Sequence, residues 1–208
     1  ENMSRAPYIA PALRFGARMG DSQFLDMMTG ALSDPFERIH MGVTAENLAC
    51  KYEISREEQD ALAAESHARA INAINKGYFK DQIVPIMLKT RKGEVAFETD
   101  EHARNDITPE GLAKLKPVFV KENGTVTAGN ASGINDGAGA VVLMSGEAVK
   151  ARGVKPLARL VAYAHAGVEP SIMGIGPVPA TELALKKAGL SIADLDVIEA
   201  NEAFAAQA

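Results

Sequence analysis

The sequence predicts an α/β protein with a layered core, and three observations carry that reading. Apolar runs at 140–144, 157–163 and 195–200 alternate with helical segments near 146–152 and 179–188, as in a sheet covered by helices. The first run, Ala140-Val141-Val142-Leu143-Met144, is short and unalternating, the pattern of a strand buried on both faces. Residues 5–120 have a different texture, polar and rich in turn signals, and read as an excursion from that core.

Along the chain, residues 1–40 carry few regular signals, so this stretch is a loop excursion or an assembly arm. A helix is predicted from Thr44, with Thr44 as N-cap and Val43 just before it. Ser55 and Glu58 then have capping-box spacing, which starts a second helix. That helix runs from Arg56 to Lys76 with Leu62, Ala70 and Ile74 on one face, and Gly77 stops it. Residues 82–88 and 94–98 read as strands around the turn at Arg91-Lys92-Gly93, with Pro85 marking an edge or bulge. Thr108-Pro109-Glu110 starts a short helix that ends before Pro117. A Gly-rich segment, 124–137, leads into the first apolar run. Gly174-Ile175-Gly176-Pro177-Val178-Pro179 reads as a stiff loop feeding a helix over 179–188, closed by Gly189.

Composition narrows the function classes. With 208 residues, 47% hydrophobic and 24% charged, the chain has ample sequence for one large domain or two modest ones. A net charge of −5 argues against nucleic acid as the main partner. No apolar stretch approaches the roughly 18 residues of a membrane span. A single Cys leaves no internal disulfide and no multi-Cys metal site, which predicts a reducing, cytoplasmic setting. Glu1-Asn2-Met3-Ser4 has no initiator Met and the chain stops soon after Ala205, so the reading is of an internal portion of a longer protein.

Five places invite chemistry. Asn201-Glu202-Ala203-Phe204-Ala205 follows directly on the apolar run 195–200, and an uncharged amide at a strand end is a well-placed hydrogen-bond donor. The Ala-rich continuation reads as the first turn of a helix. Glycines 129, 133, 137 and 139 let backbone approach a ligand, with Asn130 and Ser132 as donors. A tight turn that packs small residues between layers fits the same glycines equally well, and a phosphate-binding P-loop does not fit. His40-Met41-Gly42 precedes a helix, so His40 either lines a pocket or serves structure. Cys50 has no His within a turn and reads as a packing residue in its helix. The charged stretch 91–106 is a solvated face from which Arg104 can stack on a ring.

Four blocks then fall in order over nearly the whole chain: His40-Met-Gly-Val-Thr-Ala-Glu-Asn47, Val126-Thr-Ala-Gly-Asn-Ala-Ser-Gly-Ile-Asn-Asp-Gly137, Met173-Gly-Ile-Gly-Pro177 and Glu199-Ala-Asn-Glu-Ala-Phe-Ala-Ala-Gln207. Together they resemble the thiolases, of the acetyl-CoA acetyltransferase or β-ketothiolase type. The resemblance implies the thiolase fold, two similar halves stacked as α/β/α/β/α layers, with a coenzyme A-binding loop domain inserted in the first half. On that map residues 1–133 are the loop domain and tetramer arm, 134–153 close the first half, and 154–208 open the second.

The resemblance also implies roles. Asn201 matches the residue that holds a water of the oxyanion hole. Ala128 and Ser132 match residues flanking the pantetheine arm, and Leu32, His40, Met41, Ala203 and Phe204 match tunnel-lining positions. Met173 matches a neighbour of the reacting acyl group, and Arg104 the side chain that stacks on adenine. Gly111 stands where a Ser often meets the nucleotide end. The acyl-accepting Cys would lie before residue 1, and the His and second Cys after residue 208, so this chain alone is expected to be inert.

The implied activity of the whole protein is Claisen condensation of acetyl-CoA with acetyl-CoA or a short acyl-CoA, and the reverse thiolysis. No cofactor beyond the CoA thioester substrates and no metal is expected. The expected partner is a second copy of itself in a homotetramer, through Phe15–Asp21 and the arm Phe24–Met28, with no nucleic acid and no membrane. Two alternatives stand beside this reading: a non-catalytic thiolase-like protein that binds acyl-CoA or lipid, and a degradative thiolase for longer chains.

Overall fold

The structure, a computed structural model, describes residues 1–208. The chain forms two compact units, one from Glu1–Thr44 with Ile134–Ala200, the other from Ala45–Gly133 with Asn201–Ala208. No helix is long and apolar enough to cross a membrane.

In the second unit, helix α3 (Arg56–Asn75) begins where its capping box predicts. Ser55 Oγ accepts from the Glu58 N–H, and the Glu58 carboxylate accepts from the Ser55 N–H at 2.8 Å. Gly77, at φ +70°, takes the left-handed conformation that ends it. The buried face of α3 is polar at its start: Gln59 and Asp60 are its buried residues, while Leu62, Ala70 and Ile74 are half-buried. Helix α4 (Pro109–Ala113), capped by Thr108, packs on α3 and buries Leu112. Strands β3 (Ile86–Thr90) and β4 (Gly93–Phe97) form an antiparallel hairpin closed by Arg91-Lys92. The first of these begins after Pro85, which has no N–H to give a ladder.

Helix α2 (Met41–Lys51) carries the chain from one unit into the other. It starts three residues before the expected N-cap. Thr44 Oγ1 donates back to the Met41 carbonyl from inside the helix at 2.7 Å. The capping contact comes from His40 instead, whose Nδ1 accepts the Gly42 N–H at 3.0 Å. The small residues of α2 allow a tight core: Ala45 and Ala49 pack with Val126 and Ala206, flanked by Ile54, Phe119, Ala131 and Phe204.

Within the first unit, β1 (Tyr8–Ile9) pairs with β2 (Leu25–Asp26), and Asp26 caps the short helix α1 (Met27–Ala31). Helix α5 (Gly146–Arg152) has Ser145 as its cap and Gly153 in the left-handed region at its end. The expected stiff loop at 174–179 is helical. A 3-10 turn over Pro170–Ile175 runs into α6 (Pro177–Ala188), which Gly189 ends at φ +69°. Pro170 and Pro177 open these helices, where a missing N–H leaves no bond unmade.

The three expected core strands are not paired. Segments 140–144, 157–163 and 195–200 join no ladder, and Val142 (88% exposed), Leu157 (106%) and Val197 (85%) stand in the open. A strand needs a neighbour for its N–H and C=O groups, and these 208 residues provide none at those positions. The apolar runs mark where burial is encoded, not where this chain supplies it.

Candidate functional site

The site is built on the Gly-rich segment of the second unit. Helix α2 presents Glu46, 8% exposed, as a receptor for the turn at Thr125-Val126. Its carboxylate accepts from the Thr125 N–H (2.9 Å to each oxygen), the Thr125 hydroxyl (2.8 Å) and the Val126 N–H (2.9 Å). Gln59 Nε2 donates to Thr125 Oγ1 at 2.9 Å from the α3 side. Asn130 uses its side chain fully. Its Oδ1 accepts from the Thr127 N–H at 2.7 Å, and its Nδ2 donates to Asp60 Oδ1 at 2.9 Å and to the Thr125 carbonyl at 3.0 Å. Asp60 is held in turn by Arg56 Nε at 2.8 Å, while Arg56 Nη2 donates to the Leu112 carbonyl at 2.6 Å. Apart from Gln59 Oε1, which is buried without a partner, these buried polar groups are paired, and such pairing favours one loop conformation over several.

Two glycines need to be glycines here. A Cβ at Gly124 would lie 2.0 Å from the Val120 carbonyl oxygen. One at Gly129 would lie 2.5 and 2.6 Å from the side chains of Leu112 and Leu115. Gly137 and Gly139, expected to have similar roles, have open space around them. The Gly-rich segment is thus a close-packed turn over 124–130 followed by a run in which Gly137 and Gly139 are not required for space.

The fixed turn in turn fixes the segment that follows Asn201. The Ser132 N–H donates to the Ala203 carbonyl and the Ala205 N–H to the Asn130 carbonyl, both at 2.9 Å, with Ala131 and Phe204 paired as an antiparallel bridge. Phe204 sets its ring against Phe119, centroids 6.2 Å apart and planes at 79°. Ala208 N–H to Phe204 carbonyl, 3.1 Å, closes the helical turn expected after the motif. Glu202 accepts from Ser66 Oγ on α3 at 2.6 Å. Asn201 is exposed and its side chain makes no hydrogen bond within the chain. The expected strand before it is absent, so the residues after it supply its anchorage.

Ser132, with Asn130, Ala131, Glu202 and Ala205, lines an open cavity of about 240 Å³. Its far wall is α3 (Leu62, Ser66, His67, Ala70) and the segment carrying Asp100, His102 and Ala103. Arg104 follows Ala103, with its side chain 60% exposed. Ala128 is exposed on the same Gly-rich segment. In α4, the Gly111 N–H bonds Thr108 Oγ1, and a Cβ on Gly111 would lie 3.2 Å from that oxygen.

The remaining expected residues belong to the first unit. Leu32, His40 and Met41 are brought together by the Ser33–His40 bridge and by the Met41 N–H to Leu32 carbonyl bond at 2.8 Å. Burial lowers the His40 pKa, which keeps its ring neutral and Nδ1 available as an acceptor. Met173, about half exposed, sits on the separate 3-10 turn.

Cys50 corrects the sequence reading. It is exposed rather than packed, beside Glu46, Glu53, Ile54 and Asn123 in a shallow pocket on α2. No imidazole lines that pocket, so no histidine there is placed to act as a base. Cys50→Ser in the full-length protein should leave turnover within about threefold, whereas loss of a nucleophile costs about a thousandfold or more. Steady-state rates on the two proteins decide it.

Glu46, Gln59, Asp60, Ser66, His67, His102 and Glu202 were not singled out by sequence reasoning. Glu46 did leave a trace, an acid between Ala45 and Leu48 on an otherwise apolar helix face. His67 and His102 left none, because 35 positions separate them and only the fold makes them neighbours.

The backbone and these blocks define the class. The family model "Thiolase, N-terminal domain" matches residues 1–147, and "Thiolase, C-terminal domain" matches 154–208. The chain belongs to the thiolase family, and the layered α/β fold expected from its sequence is the fold of that family. It is 69% identical over 208 residues to beta-ketothiolase BktB of Cupriavidus necator, covering all of this chain and 53% of that protein. Among solved structures, the acetyl-CoA acetyltransferase of Bacillus anthracis matches with a TM-score of 0.88 at 55% identity, over 99% of this chain and 52% of that one. Human mitochondrial 3-ketoacyl-CoA thiolase in complex with CoA matches with a TM-score of 0.88 at 52% identity, over 100% of this chain and 51% of that one. The chain spans about half the length of the curated relatives it matches.

Proposed function

We propose that the protein carrying this chain is an acyltransferase that condenses acetyl-CoA with acetyl-CoA or a short acyl-CoA, releases free CoA, and runs the reverse thiolysis. The observation that carries the reading is Asn201, an exposed, uncommitted amide two residues before the Ala203–Ala205 clamp on 130–132. A donor held in place before charge develops costs no reorganisation when an enolate oxygen forms. Residues 1–133 act as the CoA-binding loop domain, 134–153 close the first half of the fold, and 154–208 open the second. Ala128 and Ser132 flank the pantetheine arm, Arg104 stacks on the adenine, Leu32, His40, Met41, Ala203 and Phe204 line the tunnel, and Met173 neighbours the acyl group. The CoA complex of the human relative supports CoA as the shared ligand. The substrates are the CoA thioesters themselves, with no further cofactor, and the setting is cytoplasmic.

The test is thiolysis by the full-length protein. A 3-ketoacyl-CoA with free CoA should yield acetyl-CoA and an acyl-CoA two carbons shorter; unchanged thioesters would count against the reading.

Assembly is part of the same proposal. Phe15 and Met19 are each 96% exposed, and Phe24 and Leu25 further along the same segment are exposed as well, an apolar arm that needs a covering surface. Light scattering on the full-length protein should give the mass of a homotetramer, and a monomer at micromolar concentration would contradict it.

A further inference from the structure

Arg104 is held from two directions, and neither hold serves the packing of a core. Its guanidinium makes a two-point pair with Asp106, Nε to Oδ1 at 2.9 Å and Nη2 to Oδ2 at 2.7 Å. Its backbone N–H donates to Nδ1 of His67, on α3, at 3.2 Å. The first contact fixes the plane of the guanidinium; the second fixes the main chain that carries it. Both side chains of the ion pair are more than half exposed, so its worth as a surface salt bridge is small. A two-point pair does something a point charge cannot, which is to orient a flat cation with its faces uncovered.

We propose that His67 and Asp106 are positioning residues for the nucleotide end of CoA, presenting the flat face of Arg104 to the base, and that the His67 contact makes this grip fail in acid. The proposal rests on the reading that Arg104 stacks on the base. It adds the two residues that make that stacking ready before the ligand arrives, which lowers the ordering cost of binding.

The acid sensitivity follows from the direction of the hydrogen bond. Nδ1 of His67 accepts only while it lacks a proton; protonated, it faces the Arg104 N–H with a second N–H. Its surroundings work against protonation. His102 stacks on it at 6.4 Å, and Arg104 lies on the same segment. Asp106 on that segment is the opposing negative charge, while Asp100 and Glu202 line the same cavity as His67, Glu202 already accepting from Ser66. On α3 itself Glu65 and Arg69 are paired with each other. Burial first, then His102 and Arg104, lower the His67 pKa, with Asp106 opposing. A lowered pKa means the neutral ring and the intact bond persist through neutral pH. The bond is lost as the pH falls below His67's ordinary value of 6.5 and through its lower folded value.

Calorimetry of CoA and of pantetheine, which lacks the nucleotide, on the full-length protein tests this. Arg104→Ala should weaken CoA by about two- to thirtyfold and leave pantetheine unchanged. Asp106→Ala should weaken CoA in the same range, again sparing pantetheine. This is a sharp expectation, because removing a negative charge should by itself tighten a phosphate-bearing ligand. His67→Gln, which keeps an acceptor but does not titrate, should bind CoA like the parent at pH 7.5 and lose less affinity at pH 5.5. If Arg104→Ala leaves CoA affinity intact, the stacking reading and this inference both fall. If Arg104→Ala weakens CoA while Asp106→Ala is neutral or tightens it, stacking stands and the positioning role of Asp106 is overturned. Identical pH profiles for His67→Gln and the parent overturn the acid switch.

Discussion

Asn201→Ala in the full-length protein should lower kcat about a hundredfold, close to 3 kcal/mol of lost transition-state stabilisation, with KM for acyl-CoA changed far less. The clamp of Ala203–Ala205 onto 130–132 uses backbone groups only, so the substitution leaves it in place. Asn201 is exposed and makes no side-chain bond in the chain, so its removal opens no core cavity and leaves no buried partner orphaned. The amide's contribution is confined to the moment when charge collects on oxygen, and a contact of that kind appears in kcat. A raised KM with kcat intact would instead make Asn201 a substrate-binding residue.

Glu46→Ala should cost roughly 2–6 kcal/mol of stability, the sum expected for two stranded backbone donors. Three donors converge on that carboxylate, and Val126, one of them, is wholly buried. Removing the acceptor strands the Thr125 and Val126 N–H groups, each at about 1–3 kcal/mol. Glu46→Gln is the more informative variant, since it keeps the volume yet replaces an acceptor with an NH₂ group that faces donors. Both should lower the denaturation midpoint with an unchanged m-value, Gln less than Ala. Because the turn at 124–130 carries the residues that clamp Ala203 and Ala205, both variants should also lower kcat. A Glu46→Ala protein within about 0.5 kcal/mol of the parent would show that the turn holds itself.

Local chemistry was legible in the sequence where it acts within a few residues. The Ser55–Glu58 capping box, the hairpin turning at Arg91-Lys92-Gly93, the start at Thr108-Pro109 and the glycine stops at 77 and 189 all involve partners within one or two turns. The four motif blocks likewise led to the family and its fold. What did not read correctly depends on partners distant in sequence. The apolar runs at 140–144, 157–163 and 195–200 have the pattern of buried strands, but pattern states a need for partners and these residues find none within the chain. Thr44 looked like a cap because Thr caps often; His40 had already taken that place. Cys50 looked like a packing residue because an α-helical Cys usually is, and its neighbours across the pocket, Asn123 and Thr125, lie more than seventy positions away. The same distance hid Glu46 and Asp60, whose partners come from the Gly-rich turn.

The measurement that bears most directly on the central claim is the fate of acetyl-CoA incubated alone with the full-length protein. Catalysis by condensation predicts one free CoA thiol for each 3-ketoacyl-CoA formed, with Asn201→Ala slowing both products together by about a hundredfold. Acetyl-CoA that binds, with Arg104→Ala weakening it, yet releases no thiol and forms no 3-ketoacyl-CoA would contradict the account. That result would make the protein an acyl-CoA binder built on a thiolase fold.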